Sequence, residues 1–319
     1  MSNPFRRCSR VSGTTWLGVV VVLLIGTPST GQASPIHPAA RITILHDAFG
    51  DRPELLADWG FAALVEYGGK RILFDTGNDG RVFEHNVRAL GVDLRHLDFV
   101  VISHRHGDHT GGLAYLLRQN PGVTIYAPRE AFGVFGASLP ASFLRRDSTL
   151  PPRMRYYRGA SPKAITSGSP WPGAHFVWID SLTEVAPDVA IVSTVSQTPG
   201  TLELRELSLA VRTPDGLVLV VGCSHPGIET IVAAAQPFGN HVHLVLGGLH
   251  LVATADPEIE RIAAALHDRW KIDLLAPGHC TGEPAFDVLR RVFGERYIYA
   301  GLGTTVDLSQ PVPPASRPN

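Results

Sequence analysis

The sequence feature that most constrains this chain is a group of histidines directly behind an apolar stretch. Residues 99–102 are typical of a buried strand, and His104, His106, Asp108 and His109 follow at once. Imidazole and carboxylate groups are the ligands that zinc and similar divalent ions prefer. Alternation along a strand would direct His104 and His106 to the same side, while Asp108 and His109 lie on the turn. We therefore predict a loop that binds one or two ions, with His104 and His106 serving one ion and Asp108 and His109 the other.

This run resembles the signature of the metallo-β-lactamase superfamily, a group of mostly zinc-dependent hydrolases. The resemblance covers nearly the whole chain after residue 33, in five stretches: residues 73–77, 103–113, 222–228, 247–251 and 278–282. Within the superfamily the chain is similar to a subgroup named after dihydropterin ribofuranosylaminobenzene phosphate synthase, from the methanopterin pathway. The resemblance implies an α/β fold, the αββα sandwich, in which two mixed β-sheets pack together with helices outside.

The resemblance also implies roles for particular residues. Asp75 would support the metal loop through a hydrogen bond to a ligating histidine. Asp108 is expected to accept a proton or orient water besides binding metal, and His250 to stand at the substrate mouth or act as an outer ligand. The expected cofactor is one or two Zn²⁺ ions, with other divalent metals as alternatives. The residues to which it assigns metal binding are His104, His106, Asp108, His109, His225 and His279.

Two departures from the superfamily pattern concern the second metal. The aspartate that usually bridges two metals is missing, and Cys223 and His225 stand in its place. The usual Gly-His-Thr is missing as well, since residues 198–201 contain no histidine. Cys223 has three interpretations: a soft metal ligand, a small buried apolar residue, or one half of a disulfide with Cys280.

Outside these motifs the sequence predicts alternating strands and amphipathic helices. Strands are expected at residues 41–45, 61–67, 71–74, 123–126, 189–194, 207–212, 217–221, 243–247, 271–276 and 296–300. Helices are expected at residues 78–90, 112–118, 228–235, 257–270 and 284–293.

Residues 128–188 show no clear period and indicate a lid-like insertion or, alternatively, a solvated one. A lid would form one wall of the substrate pocket. Its basic residues favour a small-molecule substrate that is anionic: Arg145, Arg146, Arg153, Arg155, Arg158 and Lys163.

The N-terminus predicts export. Three arginines precede an apolar run at residues 16–25, and small residues follow, with Ala33 at the expected cleavage position. This pattern indicates a signal peptide over residues 1–33 and a metallo-β-lactamase-like domain over residues 34–319, located in the periplasm or secreted. The apolar run is shorter than the roughly 20 residues that a membrane span needs. An uncleaved membrane anchor is the alternative.

The net charge of the chain after cleavage bears on the kind of partner that it binds. Removal of three arginines and no acidic residue takes the formal net charge from −1 to −4. A mildly acidic chain gives no support for nucleic-acid binding. We also expect no stable membrane span after cleavage.

The reaction expected from this site is hydrolysis. A divalent ion lowers the pKa of bound water from about 15.7 to about 7. The metal-bound hydroxide would then attack an ester, phosphoester, lactone or amide. The alternatives are a synthase related to the methanopterin-pathway enzyme, whose phosphorylated cytosolic substrates fit export poorly, and a non-catalytic metal- or ligand-binding protein.

Overall fold

The computed structural model of the protein describes residues 13, 40–130, 137–140, 148–160, 164–167, 171 and 173–308. The chain divides into two units, Met1–His37 and Pro38–Asn319, and the second contains every element described below. Apart from residue 13, the expected signal peptide lies outside the described residues. Its cleavage position lies outside them too, as do Arg145, Arg146 and Lys163 of the basic stretch.

The strands and helices follow each other along the chain in a strand-rich order. The strands are β1 Arg41–His46, β2 Ala62–Tyr67, β3 Lys70–Phe74, β4 Phe99–Val101, β5 Thr124–Pro128, β6 Ala137–Pro140, β7 Ala164–Ser167, β8 His175–Ile179, β9 Thr183–Ala186, β10 Val189–Val195, β11 Arg205–Thr213, β12 Gly216–Val221, β13 Val242–Gly248, β14 Leu274–Gly278 and β15 Thr305–Asp307. The helices are α1 Gly80–Ala89, α2 Gly107–Thr110, α3 Leu113–Gln119, α4 Ile228–Ala235, α5 Asp256–Ala264 and α6 Glu283–Phe293. Within the described residues, no helix is both long and apolar enough to cross a membrane.

Two mixed sheets contain most of these strands, while β6 and β7 pair only with each other among the described residues. In the described part of the chain the first sheet has the order β15-β1-β2-β3-β4-β5-β8, and the second has the order β14-β13-β12-β11-β10-β9. Strands β3, β4, β5 and β8 run parallel in the first sheet, and β12, β13 and β14 run parallel in the second. The remaining pairs in both sheets are antiparallel.

The inner faces of the two sheets pack on each other to form the central core. Its side chains alternate along the strands, and each fully buried aliphatic or aromatic one contributes about 1.5–3 kcal/mol through the hydrophobic effect. Representative members are Ile42, Ile44, Ile72 and Phe74 from the first sheet and Leu209, Val211, Val220 and Leu246 from the second.

Helices cover both outer faces. Leu73 and Val100 of the first sheet pack against Phe83 of α1 and Leu116 of α3. Leu219 and Val245 of the second sheet belong to a separate apolar cluster whose helical members are Ile231 of α4, Ile259 of α5 and Leu289 of α6. The layers are therefore helix, sheet, sheet and helix, which confirms the αββα sandwich expected from the sequence.

Two sequence-based expectations need correction. The strand expected at residues 296–300 does not form, because this segment leaves the edge of the second sheet after one bridge between Tyr297 and Leu275. The chain then crosses to the first sheet, where β15 pairs with β1. The aperiodic stretch at residues 128–188 also contains regular structure, since β8 lies in the first sheet and β9 in the second. The lid function of the rest of that stretch stays a prediction.

Candidate metal centre

The first group of metal-binding side chains lies just beyond β4. His104 is buried, and its Nε2 is 3.0 Å from Nδ1 of His106. The ring of His225 lies 4.8 Å from both of their rings, between centroids. One donor atom from each of the three lies within 4.8 Å of the others. We call these three residues the His104 group.

The geometry that joins His104 and His106 differs from the expected one. They are not consecutive outward residues of a strand, because β4 ends at Val101 and His106 is the N-cap of α2. A turn of the loop, rather than strand alternation, brings the two rings together.

A second group lies beside the first. Asp108 Oδ2 is 3.8 Å from Nε2 of His109 and 3.4 Å from Nε2 of His279. Both histidines are buried, whereas the Asp108 side chain is 19% exposed. Among the residues that the structure describes, neither ring nitrogen of His279 makes a well-formed hydrogen bond, and Nε2 has only the 3.4 Å contact with Asp108. Buried polar atoms are rarely left in that state, so these nitrogens fit a missing ligand. We call these three residues the Asp108 group.

Cys223 stands between the two groups. Its Sγ is 3.2 Å from Nε2 of His109, and it shares a further set of close donor atoms with His104 and His109. Cys223 and Cys280 are both buried and free, so the disulfide interpretation does not hold in this structure. Cys223 and His225 lie beyond β12, in a turn where Ser224 has a φ of 64°.

A buried carboxylate holds the loop that carries the first histidines. Asp75 accepts hydrogen bonds from the backbone N–H of Ser103 at 2.7 Å, from the Ser103 hydroxyl at 2.7 Å and from Nδ1 of His109 at 2.7 Å. The Ser103 hydroxyl in turn accepts from Nδ1 of His104 at 2.8 Å. Nδ1 is therefore the donor in both histidines, and Nε2 of each ring faces the cluster. The hydrogen bond from His109 is the contact expected of Asp75, and its role in supporting a metal site stays a prediction.

A second buried carboxylate, which the sequence reasoning missed, holds the turn at residues 223–225. Glu206 accepts from the backbone N–H groups of Cys223 at 2.9 Å, Ser224 at 2.6 Å and His225 at 2.9 Å. It also accepts from Nδ1 of His225 at 2.9 Å, which leaves Nε2 of that ring free to bind a metal. The available signal was an acidic residue directly before the apolar residues Leu207 and Leu209 of a predicted strand, since a buried acid needs a partner.

Asp47 is a further residue that the sequence reasoning missed. It follows β1 directly, and its carboxylate accepts from the backbone N–H of His279 at 2.9 Å and from that of Ala48 at 2.7 Å. Burial raises the pKa of Asp47 to about 8. The contact fixes the backbone of His279, which has a φ of 47°. An aspartate outside any recognisable motif gave no sequence signal for this role.

Comparison with known proteins identifies the family. The model of the metallo-beta-lactamase superfamily matches residues 60–279. The chain belongs to this superfamily. It is 29% identical over 286 residues to 7,8-dihydropterin-6-methyl-4-(beta-D-ribofuranosyl)-aminobenzene-5'-phosphate synthase of Methanocaldococcus jannaschii, over 81% of this chain and 94% of the relative.

Solved structures agree with this assignment. The crystal structure of Tm1679, a metal-dependent hydrolase of the β-lactamase superfamily, is 28% identical with a TM-score of 0.63 and covers 85% of this chain and 99% of its own. The metallo-beta-lactamase fold protein YhfI of Bacillus subtilis shares the fold, with 15% identity and a TM-score of 0.53 over 85% of this chain and 100% of its own.

The superfamily's divalent metals fit the donors present here. The His104 group offers three imidazoles, and the Asp108 group offers two imidazoles and a carboxylate, which are ligand sets for borderline ions such as Zn²⁺. Burial, followed by the charges of neighbouring imidazoles, holds the pKa of His104 well below its ordinary value. Burial likewise lowers the pKa of His106 to about 4. Both are therefore neutral at physiological pH, which is the form that binds metal.

Two side chains of the Asp108 group carry charges in the absence of metal, whereas His104 and His106 are neutral. Burial alone would lower the pKa of His109, but the charge of Asp75 outweighs it and raises the pKa to about 9. Burial alone would raise the pKa of Asp108, but the nearby His279 and His109 outweigh it and hold the pKa below its usual range. Without metal, His109 thus carries a proton that a bound ion would displace.

The structure brings all the sequence-predicted site residues to one edge of the sandwich. His104, His106 and His225 form one group, and Asp108, His109 and His279 form the other. Asp75 lies behind the histidine loop and Cys223 lies between the groups. His250 is exposed, and its ring centroid is 4.3 Å from that of His225. The individual ligand and catalytic roles stay predictions.

Proposed function

We propose that this protein is an exported metal-dependent hydrolase that cleaves an ester, phosphoester, lactone or amide bond. One observation carries the proposal: two complete donor groups lie side by side, and each includes a side chain that reaches solvent. In the His104 group this is His106, and in the Asp108 group it is Asp108. Buried ligands with a partly exposed member are what a catalytic site needs, because substrate must reach the ion.

When bound, a divalent ion of this kind supplies an activated water and polarises the bond that is attacked. The chain's own residues position that chemistry. Asp75 and Glu206 hold His109 and His225 through Nδ1, so that Nε2 of each ring faces the cluster. Asp108 is anionic and partly exposed, so its carboxylate can accept a proton from water or orient it.

His250 is proposed to meet the substrate. It is exposed and stands in the left-handed region, with a φ of 53°, two residues after the end of β13. A non-glycine residue held in this conformation costs free energy that the surrounding structure must supply, and such residues concentrate at functional sites. The conformation keeps the ring beside His225 at the mouth of the site.

A synthase reaction is the second candidate, since the methanopterin-pathway synthase named above matches most of the chain. The proposed export argues for hydrolysis instead, because phosphorylated intermediates of a biosynthetic pathway are kept in the cytosol. Intact-mass analysis of protein recovered outside the cytoplasm tests export through the loss of residues 1–33.

Activity is tested with metal-loaded protein against phosphodiesters, lactones, β-lactams and phosphomonoesters. We expect turnover of at least one class, and we expect His104→Ala and His106→Ala to lose both bound metal and activity. The matched control is His241→Ala, since His241 pairs with Asp273 at the surface. If either active-site variant retained both its zinc content and its turnover, the assignment of these histidines as metal ligands would be wrong.

A further inference from the structure

A third cluster of donor atoms lies against the two groups, and it contains sulfur. Donor atoms of Cys223, His250 and Cys280 all lie within 4.8 Å of one another. Both cysteines are buried and free, whereas His250 is exposed. Sγ of Cys280 is 3.7 Å from the backbone oxygen of Cys223. We call these three residues the sulfur group.

The sheet topology explains why these residues meet. Cys223 follows β12, His250 follows β13 and Cys280 lies in the 3₁₀ turn after β14. The three strands are parallel neighbours, so their carboxyl ends lie in a row. Gly248 leaves the space that the cluster occupies, because a Cβ there would lie 2.9 Å from Sγ of Cys280.

We propose that Cys223, Cys280 and His250 bind one thiophilic divalent ion such as Zn²⁺. Zinc binds sulfur at about 2.3 Å and imidazole nitrogen at about 2.0–2.1 Å, so tetrahedral ligands of one ion lie about 3.5 Å apart. Donors already within 4.8 Å need shifts of about 1 Å to reach that geometry. Two sulfurs and one imidazole would fill three positions of a tetrahedral ion and leave the fourth for water or substrate.

The chemistry of the donors distinguishes this site from the two others. Thiolates select zinc and softer ions over magnesium or manganese. Binding converts two thiols and one divalent ion into a dithiolate complex and releases two protons. Cys223 also lies 3.2 Å from Nε2 of His109, so its sulfur would link the sulfur group to the Asp108 group.

The inference deepens the proposed function, since it assigns His250 the role of outer ligand with its second ring nitrogen left at the substrate mouth. It also accounts for the polar surroundings of the two thiols. A cysteine that serves only as a small apolar residue is normally packed among apolar atoms. Here the neighbours are His109, His250 and a backbone carbonyl oxygen.

The test is a titration of reduced, metal-free protein with Cd²⁺, followed by thiolate-to-metal charge-transfer absorption. Imidazole and carboxylate ligands do not give this absorption. We expect a saturable band in the wild-type protein that falls to about half in Cys280→Ser, since one of two sulfurs is removed. Cys223→Ser should behave alike, and the double variant should lose the band. The band should persist in His106→Ala, which removes a ligand of the His104 group only.

Three results would overturn the inference. One is a wild-type protein without the band although thiol counting in denaturant finds both cysteines reduced. Another is a disulfide between them in protein purified without reductant. The third is a band unchanged by Cys280→Ser. If that variant does not fold, alkylation of the wild-type protein replaces it, and Cd²⁺ must then slow modification of both cysteines. The readout is independent of turnover, so an inactive protein that shows the band contradicts the proposed hydrolase only.

Discussion

Two loops in this protein each carry residues of the candidate metal centre, and a different buried carboxylate holds each loop. The histidine loop, residues 103–109, is held by Asp75, and the cysteine turn, residues 223–225, is held by Glu206. Each carboxylate is fully buried, and each fixes the protonated nitrogen of one histidine in the cluster. The two carboxylates differ in the groups that donate hydrogen bonds to them.

Among the described residues, the carboxylate of Asp75 accepts from one backbone N–H, whereas that of Glu206 accepts from three. The other partners of Asp75 are a hydroxyl and an imidazole, both of which can exchange the roles of donor and acceptor. Burial raises the pKa of Asp75. For Glu206 burial alone would do the same, but the hydrogen bond from His225 and those from backbone amides outweigh it and lower the pKa. The cysteine turn therefore depends on a permanent negative charge, while the histidine loop has partners that can adapt.

The largest difference should appear when Glu206 is changed to Gln. An amide has one acceptor oxygen, and its NH₂ group would face a backbone N–H of the cysteine turn in either orientation. Backbone amides cannot become acceptors, so at least one stays unsatisfied. Because the hydrogen bonds to a charged acceptor are also weakened, we expect the free energy of unfolding to fall by about 3–5 kcal/mol, measured by urea denaturation. The exposed Glu184→Gln on β9 is the control, and a loss no larger than the control's would contradict the role of Glu206.

A smaller loss of stability, with a selective loss of metal, is expected from Asp75→Asn. The Asn oxygen can still accept from the Ser103 amide, the hydroxyl can rotate, and His109 can move its proton to Nε2. We expect a cost of about 1–3 kcal/mol in the free energy of unfolding. The tautomer change blocks Nε2, so metal affinity should fall by about 10–100-fold, measured by competition with a chromophoric chelator.

The exposed Asp215→Asn, in the turn before β12, serves as the control for Asp75→Asn. If Asp75→Asn destabilises the protein as much as Glu206→Gln, the contrast between adaptable and fixed partners is wrong. If it keeps full metal affinity, Asp75 does not set the tautomer of His109.

The smallest effects should come from a matched pair of serines, one in each loop. Ser103→Ala and Ser224→Ala each remove one buried hydroxyl, and each should cost about 1 kcal/mol of stability. The Ser103 hydroxyl contacts Nδ1 of His104, whereas that of Ser224 donates to the backbone oxygen of Gly248 at 2.7 Å. Only Ser103→Ala should therefore lower metal affinity, and equal affinities in both variants would remove Ser103 from the support of the site.

The contrast between the two loops also explains what could be predicted from the sequence. The metal-binding residues of the histidine loop are close together in the chain: His104, His106, Asp108 and His109. Their spacing alone therefore predicted a metal-binding loop. The layers were predictable for a similar reason, because period-2 and helical patterns report which face is buried. The superfamily resemblance supplied the connection to His225 and His279.

Contacts between residues far apart in the chain could not be predicted from the sequence in the same way. Glu206 acts on residues 17 to 19 positions away, and Asp47 acts on a residue 232 positions away. Neither spacing has a local signature, because only the packed sheets bring them into contact. The false strand at residues 296–300 has the same origin. Its pattern suits a strand, but the chain must leave one sheet to pair with the other.

The separation of the donors along the chain has a consequence for the order of folding. Cys223 and His109 are in contact although 114 positions lie between them, and the His104 and Asp108 groups each join both sheets. Closing such long loops carries an entropic cost that is recovered only after the sheets pack together. A metal ion that recognises the assembled donors then stabilises the folded chain by mass action. Metal capture is therefore expected as the last kinetic event, so the rate of uptake during refolding would report docking of the two sheets and not the collapse that precedes it.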